Sequence, residues 1–104
     1  MSEQAVSDNT AAQRFEIRVD GELAGFARYQ WIDDDLAITH TEIDDRFEGQ
    51  GLGSALARSV LDSLRESGTK VLPYCPFVRG YIDRHPEYLD LVPADRRERF
   101  QLPA

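Results

Sequence analysis

One stretch of the sequence is suited to hold an anion: Gly49-Gln50-Gly51-Leu52-Gly53-Ser54. It follows a predicted strand and begins a predicted helix, whose first N–H groups have no partner inside the helix and add partial positive charge. Glycine also lets the backbone approach a phosphate closely. The motif is not a P-loop, which needs Lys before Ser54, nor the dinucleotide motif, which needs glycine at 54. We expect the amides of Gln50–Ser54 to bind phosphate, the alternative being a turn that only packs helix on sheet.

Three further side chains could take part in acyl or proton transfer. Cys75 lies between a predicted strand and a helix that begins at Pro76, a position that favours the thiolate, so it could accept an acyl group. A buried structural cysteine is the alternative. His40 and Glu42 lie on one face of a predicted strand and could act as a base, directly or through water. The alternative for this pair is a hydrogen-bonded histidine and a glutamate at the rim of the sheet.

The composition limits the partners that we expect. The chain has 104 residues, which suits one domain, and 19 Asp+Glu against 12 Lys+Arg give a formal net charge of −7. This acidity argues against nucleic-acid binding and against adhesion to an anionic membrane.

Cys75 is the single cysteine, so no intrachain disulfide can form. With no apolar run of about 20 residues, a cytoplasmic location is expected. Asp33-Asp34-Asp35 predicts a solvated turn rather than a calcium loop, and we expect no metal site.

The elements that must position these residues follow from periodicity. Alternating apolar residues predict a β-hairpin over 14–32 and a strand over 36–43. In the predicted strand over 36–43, strict alternation of side chains gives two faces. One face carries Leu36, Ile38, His40 and Glu42, and the other carries Ala37, Thr39, Thr41 and Ile43. A helix then runs to Ser67 and ends at Gly68, the usual residue for a helix C-terminus.

A short strand over 70–75 and a helix from Pro76 to the residue before Pro86 complete the predicted domain. The order is β-β-β-α-β-α, an α/β (α+β) fold with a mixed four-stranded sheet and a parallel pair formed by 36–43 and 70–75. We assign residues 14–92 to the domain. Residues 1–13 are predicted to be a disordered tail and 93–104 a polar C-terminal tail.

The segment from Ile43 to Leu56 resembles the acetyl-CoA motif of the GNAT superfamily of N-acetyltransferases, Gln/Arg-x-x-Gly-x-Gly/Ala. Gly51 and Gly53 match it, and Glu48 stands where the family has Gln or Arg. A closer resemblance, to a small NATD-type group of GNAT-like proteins about as long as this chain, covers residues 36–92. Its motifs here are Thr39-His40-Thr41-Glu42, the glycine loop, Cys75-Pro76-Phe77, Tyr81 and His85-Pro86-Glu87-Tyr88.

The resemblance implies a trimmed acetyltransferase fold in which the two parallel strands splay apart, and Pro73 in the second strand is consistent with this. It implies acetyl-CoA as cofactor, with the pantetheine arm on the backbone of Thr41 and Ile43 and the pyrophosphate on the amides of Gln50–Ser54. By similarity, Tyr81 would protonate the CoA sulfur, the alternative being a core aromatic residue.

The implied function is acetyl transfer to a small amine or an exposed protein amine. A non-catalytic acyl-CoA-binding module is the alternative, because a short chain leaves little material for an acceptor pocket. We expect a monomer or a weak homodimer, since an open hairpin edge could pair between chains.

Overall fold

A computed structural model describes residues 3–103 of the chain as a mixed five-stranded sheet with two α-helices. The strands follow the order β1-β2-β3-β4-β5, antiparallel up to β4 and parallel between β4 and β5. The strands are β1 (Gln4–Asn9), β2 (Arg14–Val19), β3 (Glu22–Ile32), β4 (Asp35–Ile43) and β5 (Val71–Pro73). The helices are α1 (Leu52–Ser67) and α2 (Pro76–Arg84), and short 3₁₀ turns span Asp45–Phe47, Pro86–Leu91 and Ala94–Arg96.

The α+β class and the mixed sheet were predicted correctly, but the sheet has five strands rather than four. The extra strand is β1, which pairs with β2 from Gln4↔Val19 to Asn9↔Arg14. Residues 4–9 are therefore not a disordered tail, and Met1 and Ser2 lie outside the described residues. The hydrophobic pattern of residues 4–9 gave little sign of a strand, because Val6 is the one large apolar residue of β1. The stability of this edge strand comes from its backbone pairing with β2.

The C-terminal segment is also more ordered than its polar composition suggested. Phe100 and Leu102 are buried, with 4% and 6% of their surface exposed. The Phe100 ring packs edge-on against Tyr74 at 5.0 Å between ring centroids. Two apolar residues are thus enough to hold this part of 93–104 on the domain, and the prediction of a polar tail is wrong for them.

Helix α1 covers one face of the sheet, which we call the helix face and which carries Phe15, Ile17 and Ala27. Its apolar side is buried there, as the 3.6-residue periodicity predicted; the buried residues are Leu52, Leu56, Ala57, Val60, Leu61 and Leu64. Gly68 ends the helix with φ +75°, and its N–H donates to the carbonyls of Leu64 and Arg65. Pro76 begins α2 and His85 ends it before Pro86, again as predicted.

Strand β4 contains a β-bulge that changes which residues share a face. Arg28 pairs with His40 but Tyr29 pairs with Ile38, so Thr39 is an extra residue in β4. The bulge puts the buried Leu36 and Ile38 on the helix face together with Thr41 and Ile43. His40 and Glu42 lie on the opposite face, beside Arg28 and Phe26. The prediction that 36, 38, 40 and 42 share one face is therefore wrong.

The pairing of β4 with β5 stops early, as the resemblance implied. It runs from Leu36↔Val71 to Ile38↔Pro73, whereas β4 continues to Ile43. At Pro73 a three-residue turn forms, in which the Tyr74 N–H donates to the Leu72 carbonyl at 3.0 Å. This turn directs the chain out of the sheet and into α2. Residues 39–43 of β4 therefore keep an outer edge that β5 does not cover, which we call the open edge.

Between residues 3 and 103, the helices are too short or too polar to cross a membrane.

Gly25 in β3 should be needed for the close approach of β3 and β4. A Cβ atom there would lie 2.6 Å from the Glu42 carbonyl oxygen and 2.5 Å from Ile43 Cδ1. The carbonyl belongs to a paired strand and cannot rotate away. We expect Gly25→Ala to lower the free energy of unfolding by about 1–3 kcal/mol, as overpacking does elsewhere, measured by urea denaturation.

Gly80→Ala in α2 is the matched control. Its Cβ would meet only Arg84 Nη1, at 3.5 Å, and alanine favours the helix by up to about 1 kcal/mol. The variant should be as stable as the wild type or more so. Equal effects of the two substitutions would contradict the close-approach explanation.

Candidate functional site

The glycine loop contains a run of backbone donors without hydrogen-bond partners among the described residues. Gly51 is the N-cap of α1 with φ +71°, and Gly49 has φ +82°, both in the left-handed region that favours glycine. The first helical bond runs from the Ala55 N–H to the Gly51 carbonyl at 3.1 Å. Within residues 3–103, the N–H groups of Gln50–Ser54 have no backbone or side-chain acceptor. The loop thus has the free amides expected of an anion site.

The open edge of β4 supplies a second set of backbone groups. The Asp44 N–H donates to the Ala24 carbonyl at 2.7 Å and therefore points toward β3. Successive residues of a strand direct their backbone groups to alternate sides, so Thr41 and Ile43 direct theirs to the open edge. Both residues are half-buried. These are the two residues that the resemblance assigned to the pantetheine arm.

Two cavities flank the glycine loop and share Gly51 and Ser54 in their walls. The β4 cavity, of about 220 Å³, extends from the loop to Ile43, Phe47 and Phe77. The Arg58 cavity, of about 300 Å³, lies between α1 and α2. It is lined by Gly51, Ser54, Ala55, Arg58, Tyr81 and His85. A ligand group on the loop can therefore extend in two directions.

Gly53 has a packing role in this loop. A Cβ at this position would lie 2.7 Å from Phe77 Cζ, so the ring rests directly on the glycine backbone. Phe77 is nevertheless 39% exposed, because its ring forms part of the wall of the β4 cavity. The packing alternative for the glycines thus holds for Gly53, whereas Gly51 is explained by its backbone conformation. From the sequence, Phe77 was expected on one side of the helix that begins at Pro76 and in the Cys75-Pro76-Phe77 motif, but no role at the glycine loop was assigned to it.

Cys75 and Thr41, 34 residues apart, meet at the closed end of the open edge. The Cys75 N–H donates to the Ile38 carbonyl at 2.8 Å, so the cysteine follows directly after the last β4–β5 pair. Its thiol donates to Thr41 Oγ1 at 3.2 Å. Cys75 is 3% exposed and is the N-cap of α2. The contact places a thiol beside the strand segment that could carry an acyl-bearing arm.

His40 and Glu42 are exposed on the opposite face of the sheet, away from Thr41. The His40 ring packs against the Phe26 ring with 6.0 Å between centroids, and the guanidinium of Arg14 lies 4.7 Å from the centroid of the Phe26 ring. Beneath them the buried Glu16 accepts hydrogen bonds from Asn9, Arg14 and Arg18, which lower the pKa of its carboxyl. The structure therefore brings His40 and Glu42 together, but not with Cys75 on the helix face.

Tyr81 lies in the Arg58 cavity and is 5% exposed. Its ring stacks on His85 with 4.2 Å between centroids. Burial raises the pKa of the Tyr81 hydroxyl, and the nearby charge of Arg58 acts in the opposite direction. The phenol therefore stays protonated at neutral pH. Its hydroxyl has no hydrogen-bond partner within the described chain, so neither Cys75 nor Thr41 orients it.

The described residues contain no group of three or more His, Cys, Asp or Glu side chains close enough to hold a metal ion.

Residues 14–91 match the family described as GCN5-related N-acetyl-transferase. Protein NATD1 of Mus musculus is 25% identical over 89 residues, which cover 82% of this chain and 81% of the mouse protein. Protein NATD1 of Xenopus tropicalis is 31% identical over 55 residues, or 51% of this chain. That match spans only 50% of the length of the frog protein.

Solved structures show the same fold. An NMR structure of a GCN5-like protein from Staphylococcus aureus superposes with a TM-score of 0.67 at 24% identity, covering 89% of this chain and 91% of that one. The ribosomal-protein-S18-alanine N-acetyltransferase of Escherichia coli gives a TM-score of 0.55 at 19% identity, over 68% and 64% of the two chains. With the family match over residues 14–91, which confirms the resemblance seen in the motifs, the chain belongs to the GCN5-related N-acetyltransferase family.

Proposed function

We propose that this acetyltransferase-family protein uses acetyl-CoA to acetylate a small amine or an exposed protein amine. One observation carries the proposal: the unpaired amides of Gln50–Ser54 adjoin the open edge of β4. Amides at a helix N-terminus suit a diphosphate, which needs several donors at once. An open strand edge suits an amide-containing arm such as pantetheine. The two features are joined by the β4 cavity, which reaches from Gly51 to Ile43.

The residues present fit such a ligand. The backbone groups of Thr41 and Ile43 would pair with the pantetheine arm, and the amides of Gln50–Ser54 would hold the pyrophosphate. The Glu48 N–H is already bonded to the Asp45 carbonyl, and the Glu48 side chain is exposed. Its carboxylate can therefore turn toward solvent, and the departure from the family's Gln or Arg leaves the amide site intact.

Bound acetyl-CoA would supply the thioester as an activated acyl group. With that ligand on the open edge and the helix face, the opposite face of the sheet is left for the acceptor. His40 and Glu42 are exposed there and could take a proton from the attacking amine, directly or through water. The amine acceptor would thus approach β4 from one face and the acetyl donor from the other, just beyond the point where β5 ends.

Cys75 could serve as a covalent relay. Its thiolate would attack the thioester carbonyl, the bond to the CoA sulfur would break, and CoA would leave as a thiolate that takes up a proton. The amine would then attack the acetyl-Cys75 carbonyl and release the cysteine thiolate. In a direct route, the Cys75 thiol, oriented by Thr41, would instead give its proton to the leaving CoA sulfur. Tyr81 stacks on His85 and has no hydrogen bond to Cys75 or Thr41. We therefore propose that Cys75, rather than Tyr81, protonates the CoA sulfur.

A negative charge placed in the glycine loop should weaken acetyl-CoA binding without unfolding the protein. Asn and Asp tolerate the left-handed backbone at Gly51, and a Cβ there has nothing within 4 Å. We expect acetyl-CoA and CoA to raise the melting temperature of the wild type and of Gly51→Asn. Gly51→Asp should weaken binding about tenfold or more, because its carboxylate faces the diphosphate. Equal shifts for the Asn and Asp variants would rule out a diphosphate at this loop.

The role of Cys75 can be tested by intact mass after incubation with acetyl-CoA. The relay predicts one acetyl adduct on the wild type that is lost in Cys75→Ala, although the variant keeps its thermal shift with acetyl-CoA. Turnover without an adduct would instead support the direct route. Binding without adduct or turnover across a panel of amines would leave a non-catalytic acyl-CoA-binding module.

Removal of the proposed base should affect turnover alone. Because Glu42 lies on the opposite face from the cofactor groups, Glu42→Gln should lower kcat by about 10²-fold or more and leave the acetyl-CoA thermal shift unchanged. His40→Gln tests the second candidate in the same way. Glu66→Gln, which removes the same charge from the exposed surface of α1, is the control and should retain full activity. Unchanged turnover in both the His40 and Glu42 variants would show that the general base does not lie on this face of the sheet.

A further inference from the structure

The opposite face of the sheet carries a row of basic side chains across three neighbouring strands. Arg14 in β2 pairs with Arg28 in β3, which pairs in turn with His40 in β4. The Cβ atoms of directly opposite residues lie about 5 Å apart, and like charges placed there repel each other. The row is therefore unfavourable unless each arginine has an anion beside it.

Arg14 has such an anion within the protein, whereas Arg28 has none. The Nε of Arg14 donates to Glu16 at 2.7 Å, and Glu16 also binds Arg18. Arg28 is exposed, and its guanidinium makes no hydrogen bond or ion pair with the rest of residues 3–103. The guanidinium lies 5.7 Å from the centroid of the Phe26 ring. It is thus positioned on an aromatic ring while its N–H donors stay unused.

Glu42 lies diagonally across from Arg28 on the same face. Its direct partner is Phe26, and diagonal neighbours in paired strands are about 7–8 Å apart. Glu42 is exposed and makes no ion pair with the described part of the chain. The sheet therefore presents a carboxylate and a guanidinium, both without partners, next to one aromatic ring.

A cavity of about 360 Å³, which we call the Phe26 cavity, is lined by both Phe26 and Glu42. Asp44 and Asp45 also line it. Three carboxylates around one cavity attract a cation such as an ammonium group. Arg28 lies two residues further along β3, outside the wall of the cavity. The positive and negative groups of this face are therefore separated in space.

A small molecule that carries both an ammonium and a carboxylate fits this separation of charge. Its amino end suits the Phe26 cavity. Its carboxylate suits Arg28, whose planar guanidinium can bind both oxygens at once. An amine without an anionic group would leave Arg28 unpaired, and an anion without an amine would meet Glu42 with nothing to offset the repulsion.

We propose that the acceptor is an amine that also carries a carboxylate, as an α-amino acid does, and that Arg28 binds this carboxylate. This inference rests on the proposed function, because it takes the opposite face as the acceptor side and Glu42 or His40 as the base. Phe26 would contact the carbon skeleton of the acceptor. Arg28 would hold the amine beside the base without itself exchanging a proton, so it would determine specificity.

The test measures kcat/KM for acetyl transfer from acetyl-CoA to the common α-amino acids and to their carboxamides. Each pair differs in the carboxylate alone. We expect the wild type to prefer at least one amino acid over its carboxamide by about tenfold or more, the size of a charge-assisted contact. Arg28→Gln should acetylate both at the level that the wild type shows for the carboxamide, mainly through a higher KM for the amino acid. Arg99→Gln removes an exposed arginine elsewhere and should keep the full preference.

The outcomes separate this inference from the proposed function. If the wild type acetylates carboxamides or a lysine-containing peptide as well as every amino acid, the assignment of Arg28 is overturned and the transferase function stands. An equal loss for amino acids and carboxamides in Arg28→Gln would also overturn it, since that pattern indicates a general effect on the face. Acetylation of none of these amines by the wild type would overturn the proposed transfer and this inference with it.

Discussion

The early end of the parallel pairing between β4 and β5 is the constraint on which the site depends. Two strands joined by a helix would normally pair along their full length, because buried backbone groups need partners. Here the pairing ends at Ile38↔Pro73, and proline has no N–H to continue the ladder. The turn at Pro73 carries the chain into α2 and leaves the open edge of β4 accessible. Cys75 is placed at the closed end of that edge by its own backbone bond to Ile38.

The bulge at Thr39 gives this edge two distinct chemical sides. Without the extra residue, His40 would lie on the same face as the buried Ile38. With it, Thr41 lies on the helix face near Cys75, and His40 and Glu42 lie on the opposite face. A donor and an acceptor can thus approach the same short strand segment from different sides. A single residue inserted in one strand therefore separates the groups that could hold the donor from those that could serve as a base.

The net charge of −7 does not argue against the anion site proposed at the glycine loop, because charges act locally. At physiological ionic strength the screening length is about 8 Å, so distant carboxylates affect the loop little. Several acidic groups are also paired: Asp44 with Arg46 and Asp90 with Arg65, and the hydrogen bonds in each pair lower the pKa of the carboxyl. The loop amides and Arg58 remain without such partners among residues 3–103. The net charge therefore bears on which large partners the whole surface can bind. It does not determine the electrostatic potential at the glycine loop.

The sequence by itself determined the elements whose signals are local. Glycines with a required backbone conformation, proline at a helix start and a 3.6-residue apolar period predicted the loop, α1 and α2, and the motif from Ile43 to Leu56 pointed to the family. Only the tertiary structure decided features that depend on distant partners. Strand β1 exists because β2 offers a free edge, the burial of Phe100 depends on Tyr74, and the Cys75–Thr41 contact joins separate elements. The bulge had one faint signal, the odd spacing of Ile38 and Ile43 in one strand, but its position depends on how β3 pairs with β4.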